Sequence, residues 1–310
     1  MAGQYGLTCG FYAYPDVNMN ISDELIRALN LTSPADVSRA LESLGISPSK
    51  SQGQNFLIDA NILGIILKAA DLSAGDQVLE IGAGLGSLTE ALAKLVRRVV
   101  TIEKDSRLSG FLQCRFQPMA NIELITADVM RLDLEKFWDS GMNKLVANLP
   151  YSIGSAVLVE IFKGTSQPEM IVVTLQAEVA GRLAAEPDTS DYGLLGIWSR
   201  LNYETKIRRV ISPNCFFPRP EVQSAVLSMK KIRSSDGEPV DRGFFFGLTK
   251  YAFGQRRKQM QKILSGAPPQ FRRPSDELRA IFRELDIDSS IRPGALSVSQ
   301  WIRLANRLRQ

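Results

Sequence analysis

Seven short runs rich in β-branched and apolar residues alternate with helical patterns between residues 77 and 230. This alternation predicts a mainly parallel sheet wrapped by helices, because parallel strands need crossover connections. After residue 240 the apolar residues recur only at helical spacing. We therefore expect an α/β fold with a small all-α domain at the C-terminal end. The predicted strands are Gln77–Ile81, Arg98–Glu103, Ile122–Thr126, Lys144–Ala147, Glu169–Gln176, Tyr203–Ile211 and Gln223–Lys230.

Changes in composition divide the chain into four predicted parts. An N-terminal extension without periodic apolar residues is expected to be flexible, and it precedes the main α/β domain. A linker with Ser, Gly, Pro and charged residues then leads to the helical domain. The predicted boundaries are 1–31 for the extension, 32–230 for the main domain, 231–240 for the linker and 241–310 for the helical domain.

Near the start of the main domain, Ser33 followed by Pro34 has the pattern of a helix N-terminus. The apolar residues that follow lie on one face, and Gly45 ends the helix. We interpret this helix as a lid or docking element.

The sequence contains no histidine and has three distant cysteines, Cys9, Cys114 and Cys215. The commonest metal ligand and every Ser–His or Cys–His nucleophile arrangement are therefore excluded. No cysteine pair has the spacing of a zinc or redox motif, so we expect reduced thiols and no metal. No apolar run approaches about 20 residues, and the first residues lack the order of a secretory signal. We expect a soluble, cytoplasmic protein with no membrane part.

Positive charge is concentrated in the C-terminal part of the chain. Residues 231–310 contain 16 Lys and Arg against 8 Asp and Glu, whereas the other residues contain 21 against 25. This asymmetry predicts that the C-terminal part binds a polyanion. The alternative is a solvated helical surface with no such partner.

A glycine turn follows the first predicted strand. Gly82, Gly84 and Gly86 come directly after it, and Ser87 then opens a helix, an order that adenosyl cofactors use. A dinucleotide fingerprint would need a third glycine where Ser87 stands, so the pattern counts against NAD.

Carboxylates end the next two strands. Glu103 can accept both hydroxyls of a ribose, and Asp128 can accept the amine of adenine. The alternatives are that Glu103 is a surface carboxylate paired with Lys104 or Arg107, and that Asp128 only caps a helix.

The fourth strand ends in Asn148-Leu149-Pro150-Tyr151, and here the sequence resembles the ribosomal RNA adenine dimethyltransferases, especially the bacterial small-subunit enzymes. The similarity covers roughly residues 32 to 265, with the motifs in the family's order and spacing. The other motifs are QNFLID at 54–59, EIGAGLGSLT at 80–89, FFPRPEVQSAV at 216–226 and FGQRRKQM at 253–260.

The resemblance implies a seven-stranded Rossmann-like domain over the main α/β part that binds S-adenosylmethionine. It implies transfer of two methyl groups to the exocyclic amine of adenine in small-subunit (16S) ribosomal RNA during ribosome assembly. The expected partner is ribosomal RNA in an immature small subunit, and we expect a monomer. For Asn55 a helix cap is the alternative role. The implied cofactor contacts are Asn55, Leu57, Gly82, Gly84, Glu103, Asp128 and Asn148.

The reacting end of the site follows from the chemistry of adenine. Its exocyclic amine is a poor nucleophile, because the lone pair is delocalised into the ring. The side-chain carbonyl of Asn148 and the main-chain carbonyl of Leu149, held by rigid Pro150, can each accept one amine hydrogen. Tyr151 can stack on the base, with Phe216 or Phe217 on its other side. The alternatives are an ordinary turn with a buried tyrosine, and phenylalanines that only fill the core.

The RNA-binding end is expected in the C-terminal part. Arg256, Arg257 and Lys258 are predicted to lie within a helix and to contact phosphates, which gives affinity with little sequence choice. Further cations could extend this surface, namely Arg272, Arg273, Arg303, Arg307 and Arg309.

Three rival functions remain at this point. The large-subunit methyltransferases of the macrolide-resistance type share all the site motifs. DNA adenine methyltransferases typically carry D-P-P-Y or N-P-P-Y, whereas Leu149 stands at the first proline position here. A non-catalytic RNA-binding assembly or transcription factor would show a damaged site, but Asn148, Glu103 and the glycines are intact.

Overall fold

A computed structural model accounts for most of the chain. Residues 1–20 of the predicted extension, Gln54 of the QNFLID motif and residues 233–236 of the predicted linker lie outside the described residues. The residues that the structure describes are 21–47, 55–232 and 237–310. They form two compact units. The first contains the chain up to Ala180 and Lys206–Lys230, and the second contains Gly181–Thr205 and Lys231–Gln310.

Strands organise the first unit. Those of the described residues are β1 Phe56–Leu57, β2 Gln77–Ile81, β3 Arg98–Glu103, β4 Ile122–Thr126, β5 Lys144–Asn148, β6 Met170–Gln176, β7 Tyr203–Ile211, β8 Phe216–Phe217 and β9 Ser224–Lys231. Seven form one sheet in the order β4-β3-β2-β5-β6-β9-β7, and β1 pairs with β8 separately. Strands β2 to β6 are parallel, while β9 is antiparallel to β6. The seven predicted strands are confirmed, with boundaries that differ by one residue at most.

The strand order reverses between β2 and β5. From β2 the chain moves outward through β3 to β4, and it returns to the other side of β2 with β5. A crevice opens at the carboxyl ends of the strands at such a reversal, and open α/β sheets bind ligands there.

Helices of the first unit pack on this sheet through two apolar clusters. One cluster contains Ile66, Leu92, Val78 and Val146, and the other contains residues of the first two helices and of the helix over Ser106–Phe116. Full burial of such a side chain stabilises the fold by about 1.5–3 kcal/mol. The helices are α1 Asp23–Ala28, α2 Pro34–Ser43, α3 Ala60–Ala69, α4 Ser87–Ala93, α5 Ser106–Phe116, α6 Glu135–Asp139 and α7 Gly154–Lys163.

The N-terminal boundary differs from the sequence-based expectation. Residues 21–31 were assigned to the extension, but α1 begins after Ser22, whose side chain accepts a hydrogen bond from the Leu25 amide at 3.3 Å. Ile26 and Leu29 are buried. A helix of six residues is too short to show a helical period in the sequence, which explains the difference. Helix α2 has the predicted start at Pro34.

The second unit is mainly helical, as expected. Its core includes Phe245, Leu248, Phe282 and Trp301. Helix α8 Ala177–Ala184 crosses the boundary between the units, and the helices that follow are α9 Leu194–Arg200, α10 Arg242–Phe253, α11 Met260–Ser265, α12 Ser275–Glu284 and α13 Val298–Arg309.

Residues 181–205 belong to this unit, although the predicted boundaries assign them to the main domain. The side chain of Trp198 on α9 donates a hydrogen bond to Thr249 of α10 at 3.1 Å, and its ring meets Phe246 edge to face. The hydrogen bond joins residues that are 51 positions apart, and local patterns in the sequence do not show such a contact.

The predicted helical position of Arg256, Arg257 and Lys258 is wrong. Helix α10 ends at Phe253, and these cations lie in the turn before α11. Gly254 follows the last helical residue, and glycine has a low helix propensity. The amide of Lys258 then closes the turn on the carbonyl of Gln255 at 2.8 Å.

Strand β7 is at the edge of the sheet. All five residues from Lys206 to Val210 are exposed, including the apolar Ile207 and Val210. None of the described helices is long and apolar enough to cross a bilayer.

Candidate active site

A cavity of about 640 Å³ opens at the carboxyl ends of β2, β3 and β5. The segments that follow β2, β3, β4 and β5 line this cavity, and so does strand β1. All ten residues predicted for the cofactor and the reacting end line it together, namely Asn55, Leu57, Gly82, Gly84, Glu103, Asp128, Asn148, Leu149, Pro150 and Tyr151.

The glycine turn after β2 needs glycine for conformation and for space. Gly82, Gly84 and Gly86 have φ of 79°, 59° and 91°, a region that other residues rarely adopt. A Cβ on Gly82 would lie 3.2 Å from Cδ of Pro150, and one on Gly86 would lie 2.5 Å from Cζ of Phe116. The turn therefore packs closely against both the end of β5 and helix α5.

Glu103 at the end of β3 is held by main-chain amides. Its Oε2 accepts a hydrogen bond from Gly84 at 2.9 Å, and its Oε1 accepts from Lys104 and Asp105 at 2.8 and 2.9 Å. Burial nevertheless raises the pKa of this carboxyl, which is only 7% exposed. Oε2 can still accept from a hydroxyl of a ligand. The alternative of a surface ion pair with Lys104 or Arg107 is wrong, since Lys104 pairs with Asp128 and Arg107 with Asp105.

Asp128 combines two contacts. Its Oδ1 caps the short 3₁₀ helix Val129–Arg131 by accepting from the Met130 amide at 3.0 Å. Its Oδ2 lies 2.8 Å from Nζ of Lys104, and this hydrogen bond lowers the pKa of Asp128. Asp128 therefore does cap a helix, as the alternative stated, and it also lines the cavity.

Asn148 has a fixed orientation. Its Nδ2 donates to the main-chain carbonyl of Asn55 at 3.1 Å. Because that partner is an acceptor, the side-chain carbonyl must point elsewhere. Within 21–47, 55–232 and 237–310, no residue donates a hydrogen bond to Oδ1 of Asn148 or to the main-chain carbonyl of Leu149. Two acceptors at the end of β5 thus have free capacity.

Asn55 supports this arrangement through its backbone. The cap of α3 is Asp59, whose Oδ1 accepts from Asn61 and Ile62 at 2.8 and 3.1 Å. The alternative that Asn55 caps this helix is therefore wrong. Leu57 in β1 is buried and pairs with Phe216 of β8.

Tyr151 is half-buried beside these acceptors. Its hydroxyl hydrogen-bonds the buried Ser224 at the start of β9, and burial raises the pKa of the phenol. The hydroxyl contact restrains the ring, which lines the cavity. Phe216 is 2% exposed and belongs to the core, whereas Phe217 is partly buried. Neither phenylalanine lines the cavity.

Glu80, an acidic residue next to the end of buried strand β2, was not among the site residues predicted from the sequence. It accepts hydrogen bonds from the hydroxyls of Thr89 and Thr101 at 2.5 and 2.8 Å, both on Oε2. Burial raises its pKa to about 7. The signal was a carboxylate within the otherwise apolar run Val78–Ile81. Glu80 also lines the cavity.

The cations expected to bind RNA differ in their contacts. The guanidinium of Arg256 donates to the carbonyl of Thr189 at 3.0 Å, and Nζ of Lys258 donates to the side chain of Gln255. Arg257 is exposed, with no partner among the described residues. Of the cations that could extend this surface, three form ion pairs: Arg273 with Glu277, Arg307 with Glu284 and Arg309 with Asp241.

The composition of the lining fits an adenosyl cofactor. A buried carboxylate that can accept a ribose hydroxyl, glycines without Cβ atoms in the turn after β2 and apolar walls are all present. Among the described residues, no cluster of three or more acidic or thiol side chains could hold a metal ion.

The family model described as ribosomal RNA adenine dimethylase matches residues 47–310. The chain belongs to the ribosomal RNA adenine dimethylase family. Ribosomal RNA small subunit methyltransferase A of Ligilactobacillus salivarius is 36% identical to it over 283 residues, which cover 90% of this chain and 96% of that protein. These matches confirm the resemblance found from the motifs.

Solved structures agree with the fold. A dimethyladenosine transferase from Plasmodium falciparum has a TM-score of 0.70 at 24% identity, covering 80% of this chain and 95% of that one. The 23S rRNA methyltransferase ErmE has a TM-score of 0.61 at 25% identity, covering 83% and 100%. These structures confirm the Rossmann-like methyltransferase fold. The family model and the relative confirm the enzyme class, an S-adenosylmethionine-dependent rRNA adenine dimethyltransferase.

Proposed function

We propose that this enzyme transfers two methyl groups to the exocyclic amine of adenine in 16S ribosomal RNA of immature small subunits, in the cytoplasm. The observation that carries the proposal is the pair of free acceptors at the end of β5, Oδ1 of Asn148 and the carbonyl of Leu149. They lie where the strand order reverses, beside the glycine turn.

These acceptors suit the amine of adenine. Each can accept one of its two hydrogens, which turns the nitrogen lone pair away from the ring and toward the cofactor. Since the Asn55 carbonyl orients the Asn148 amide, the acceptor is in place before the substrate arrives. Pro150 stiffens the turn that presents the Leu149 carbonyl. Positioning then replaces a strong base, in keeping with a chain that has no histidine.

We assign the cofactor to the other side of the cavity. S-adenosylmethionine, when bound, supplies the electrophilic methyl carbon. Oε2 of Glu103 would accept a ribose hydroxyl, Asp128 would accept the adenine amine, and Gly82 and Gly84 would allow close approach of the backbone. Asn55 and Leu57 would contribute main-chain groups from β1.

Tyr151 would stack on the target base, because adenine must leave its helix to reach the cavity. Its hydrogen bond to Ser224 supports this role by limiting rotation of the ring. The core position of Phe216 does not support a role as the opposite partner, and Phe217 has no cavity contact that favours it.

The exposed cations of the turn after α10 would contact phosphates of the RNA. Arg257 is the strongest candidate, since it has no partner among the described residues. Arg256 and Lys258 would have to share or exchange their present hydrogen bonds.

We propose the small subunit because a relative with 36% identity over most of both chains is named a small subunit methyltransferase. The second candidate is the large subunit, supported by the likeness to a 23S rRNA methyltransferase at 25% identity.

The decisive experiment measures tritium transfer from labelled S-adenosylmethionine to purified subunits. We expect incorporation into immature small subunits from cells that lack the enzyme, and none into subunits already methylated. Incorporation into large subunits alone would support the second candidate, and none into either would contradict the proposed activity.

A further inference from the structure

Residues 21–46, here called the N-terminal cap, lie before the residues that the family model matches. They contain α1, α2 and the segments beside them. Their apolar side chains form one cluster with Ala83 and Leu85 of the glycine turn and with residues of α5. The buried residues of the cap are Ile26, Leu29, Leu31, Val37, Ala40, Leu41, Leu44 and Ile46.

Two arginines tie the cap to the elements that form the cavity. Arg115 of α5 donates to the carbonyls of Ile26 and Leu29 at 2.6 and 3.3 Å, and it pairs with Glu90 of α4 at 2.6 Å. Helix α4 begins directly after the glycine turn. Arg107 donates to the carbonyl of Gly45 at 3.1 Å and pairs with Asp105, two residues after Glu103.

Two residues of the cap, Leu31 and Val37, line the cavity themselves. They belong to the same cluster as Ala83, which is part of the glycine turn, and Leu108, which follows Glu103 by five residues. This is the side of the cavity assigned to the nucleoside, where an apolar wall suits the face of a purine.

We propose that the N-terminal cap forms a wall of the cofactor site and that Leu31 and Val37 contact the adenosine part of S-adenosylmethionine. Binding of the cofactor and docking of the cap are then coupled, because a ligand that contacts the docked cap stabilises it. The inference requires cofactor binding alone, so its tests need no RNA and are independent of which ribosomal subunit is the substrate.

The first test compares variants in calorimetric titrations with S-adenosylhomocysteine, which binds without reacting. We expect Leu31→Ala and Val37→Ala each to weaken binding about tenfold, through lost apolar contact with the ligand. Leu41→Ala is the matched control, because Leu41 is buried in the same cluster but does not line the cavity. It should bind within about twofold of the unchanged protein. Normal binding by both lining variants, or an equal loss in the control, would overturn the proposed contact.

The second test needs no variant that might fail to fold. Amide hydrogen exchange of the unchanged protein is measured with and without S-adenosylhomocysteine. We expect slower exchange in residues 26–44 with the ligand, and no change in α12 of the second unit. Exchange in the cap that does not respond to saturating ligand would contradict the coupling.

Discussion

Asn148 donates through its amide nitrogen to the Asn55 carbonyl, and no described residue donates to its side-chain oxygen. Asn148→Ala should therefore remove the acceptor without disturbing the opposite side of the cavity. We expect kcat for methyl transfer to fall about 100- to 1,000-fold, as for other preorganised polar groups. The dissociation constant for S-adenosylmethionine should rise only a few-fold. Single-turnover transfer and calorimetry measure the two quantities, with the exposed Asn61→Ala as control. Near-normal turnover in Asn148→Ala would remove this residue from the reacting end.

Two variants of Tyr151 separate the effect of its ring from that of its hydroxyl. Tyr151→Phe keeps the ring and loses only the hydrogen bond to Ser224, so kcat/KM for RNA should change less than about fivefold, the effect of one neutral hydrogen bond. Tyr151→Ala also loses stacking worth about 1–3 kcal/mol, roughly 5- to 150-fold in kcat/KM. Ser224→Ala should match Tyr151→Phe. Equal activity of the Phe and Ala variants would exclude stacking.

Glu80 makes stability depend on pH in a defined direction. Burial raises its pKa from 4.5 to about 7, so the folded protein binds a proton that the unfolded chain releases. The contribution of Glu80 to stability is therefore full below pH 4.5 and is lost as pH rises to about 7. Glu80→Gln should be more stable than the unchanged protein above pH 7, by up to about 3 kcal/mol.

Urea unfolding at several pH values tests this difference. The advantage of Glu80→Gln should grow between pH 4.5 and 7 and then level off. Glu24→Gln, at an exposed position in α1, provides the control for the loss of a carboxyl. An advantage for Glu80→Gln that does not change with pH would show that the carboxyl does not titrate in this range.

At the scale of elements, the glycine turn is limited by both conformation and space. Gly86→Ala would require φ near 91° from alanine and would place Cβ against Phe116 and Leu112 of α5. We expect a loss of about 1–3 kcal/mol in the free energy of unfolding. Gly64→Ala is the opposite case, since this position in α3 has nothing within 4 Å, and it should stabilise by about 0.5–1 kcal/mol. Thermal unfolding compares them, and a neutral Gly86→Ala would show that α5 can move aside.

The elements that could be predicted from the sequence are those with a strong local pattern. Strands β2 to β5 and the residues at their ends follow from apolar runs and from the rule that parallel strands end at one edge. The turn after α10 was misassigned because three adjacent cations carry no apolar period, and the position of the helix end depends on Gly254. The features that could not be predicted depend on tertiary contacts. The grouping of α9 with α10, the burial of α1 and the hydrogen bonds of Glu80 all join residues that are distant in sequence.

At the scale of the whole molecule, some of the positive charges after residue 230 form ion pairs with acidic side chains of the same chain. Arg307 is paired with Glu284, whereas Arg257 has no partner among the described residues. Arg257→Ala should lower RNA affinity and reduce the slope of log affinity against log salt by about 0.7–1, the effect of one lost phosphate contact. Arg307→Ala should reduce the slope much less. Filter binding over a range of salt concentrations measures both, and an unchanged slope in Arg257→Ala would place the RNA surface elsewhere.

The exposed edge of strand β7 affects the self-association of this protein. The outer edge of an open sheet is a template to which a strand of another molecule can add, and such growth leads to aggregation. Between residues 206 and 210 this edge has Lys206, Arg208 and Arg209 among two apolar residues. Two such edges brought side by side would oppose like charges, which disfavours their pairing. Replacing these cations with threonine would therefore remove a protection against self-association, although no residue of the cavity would change.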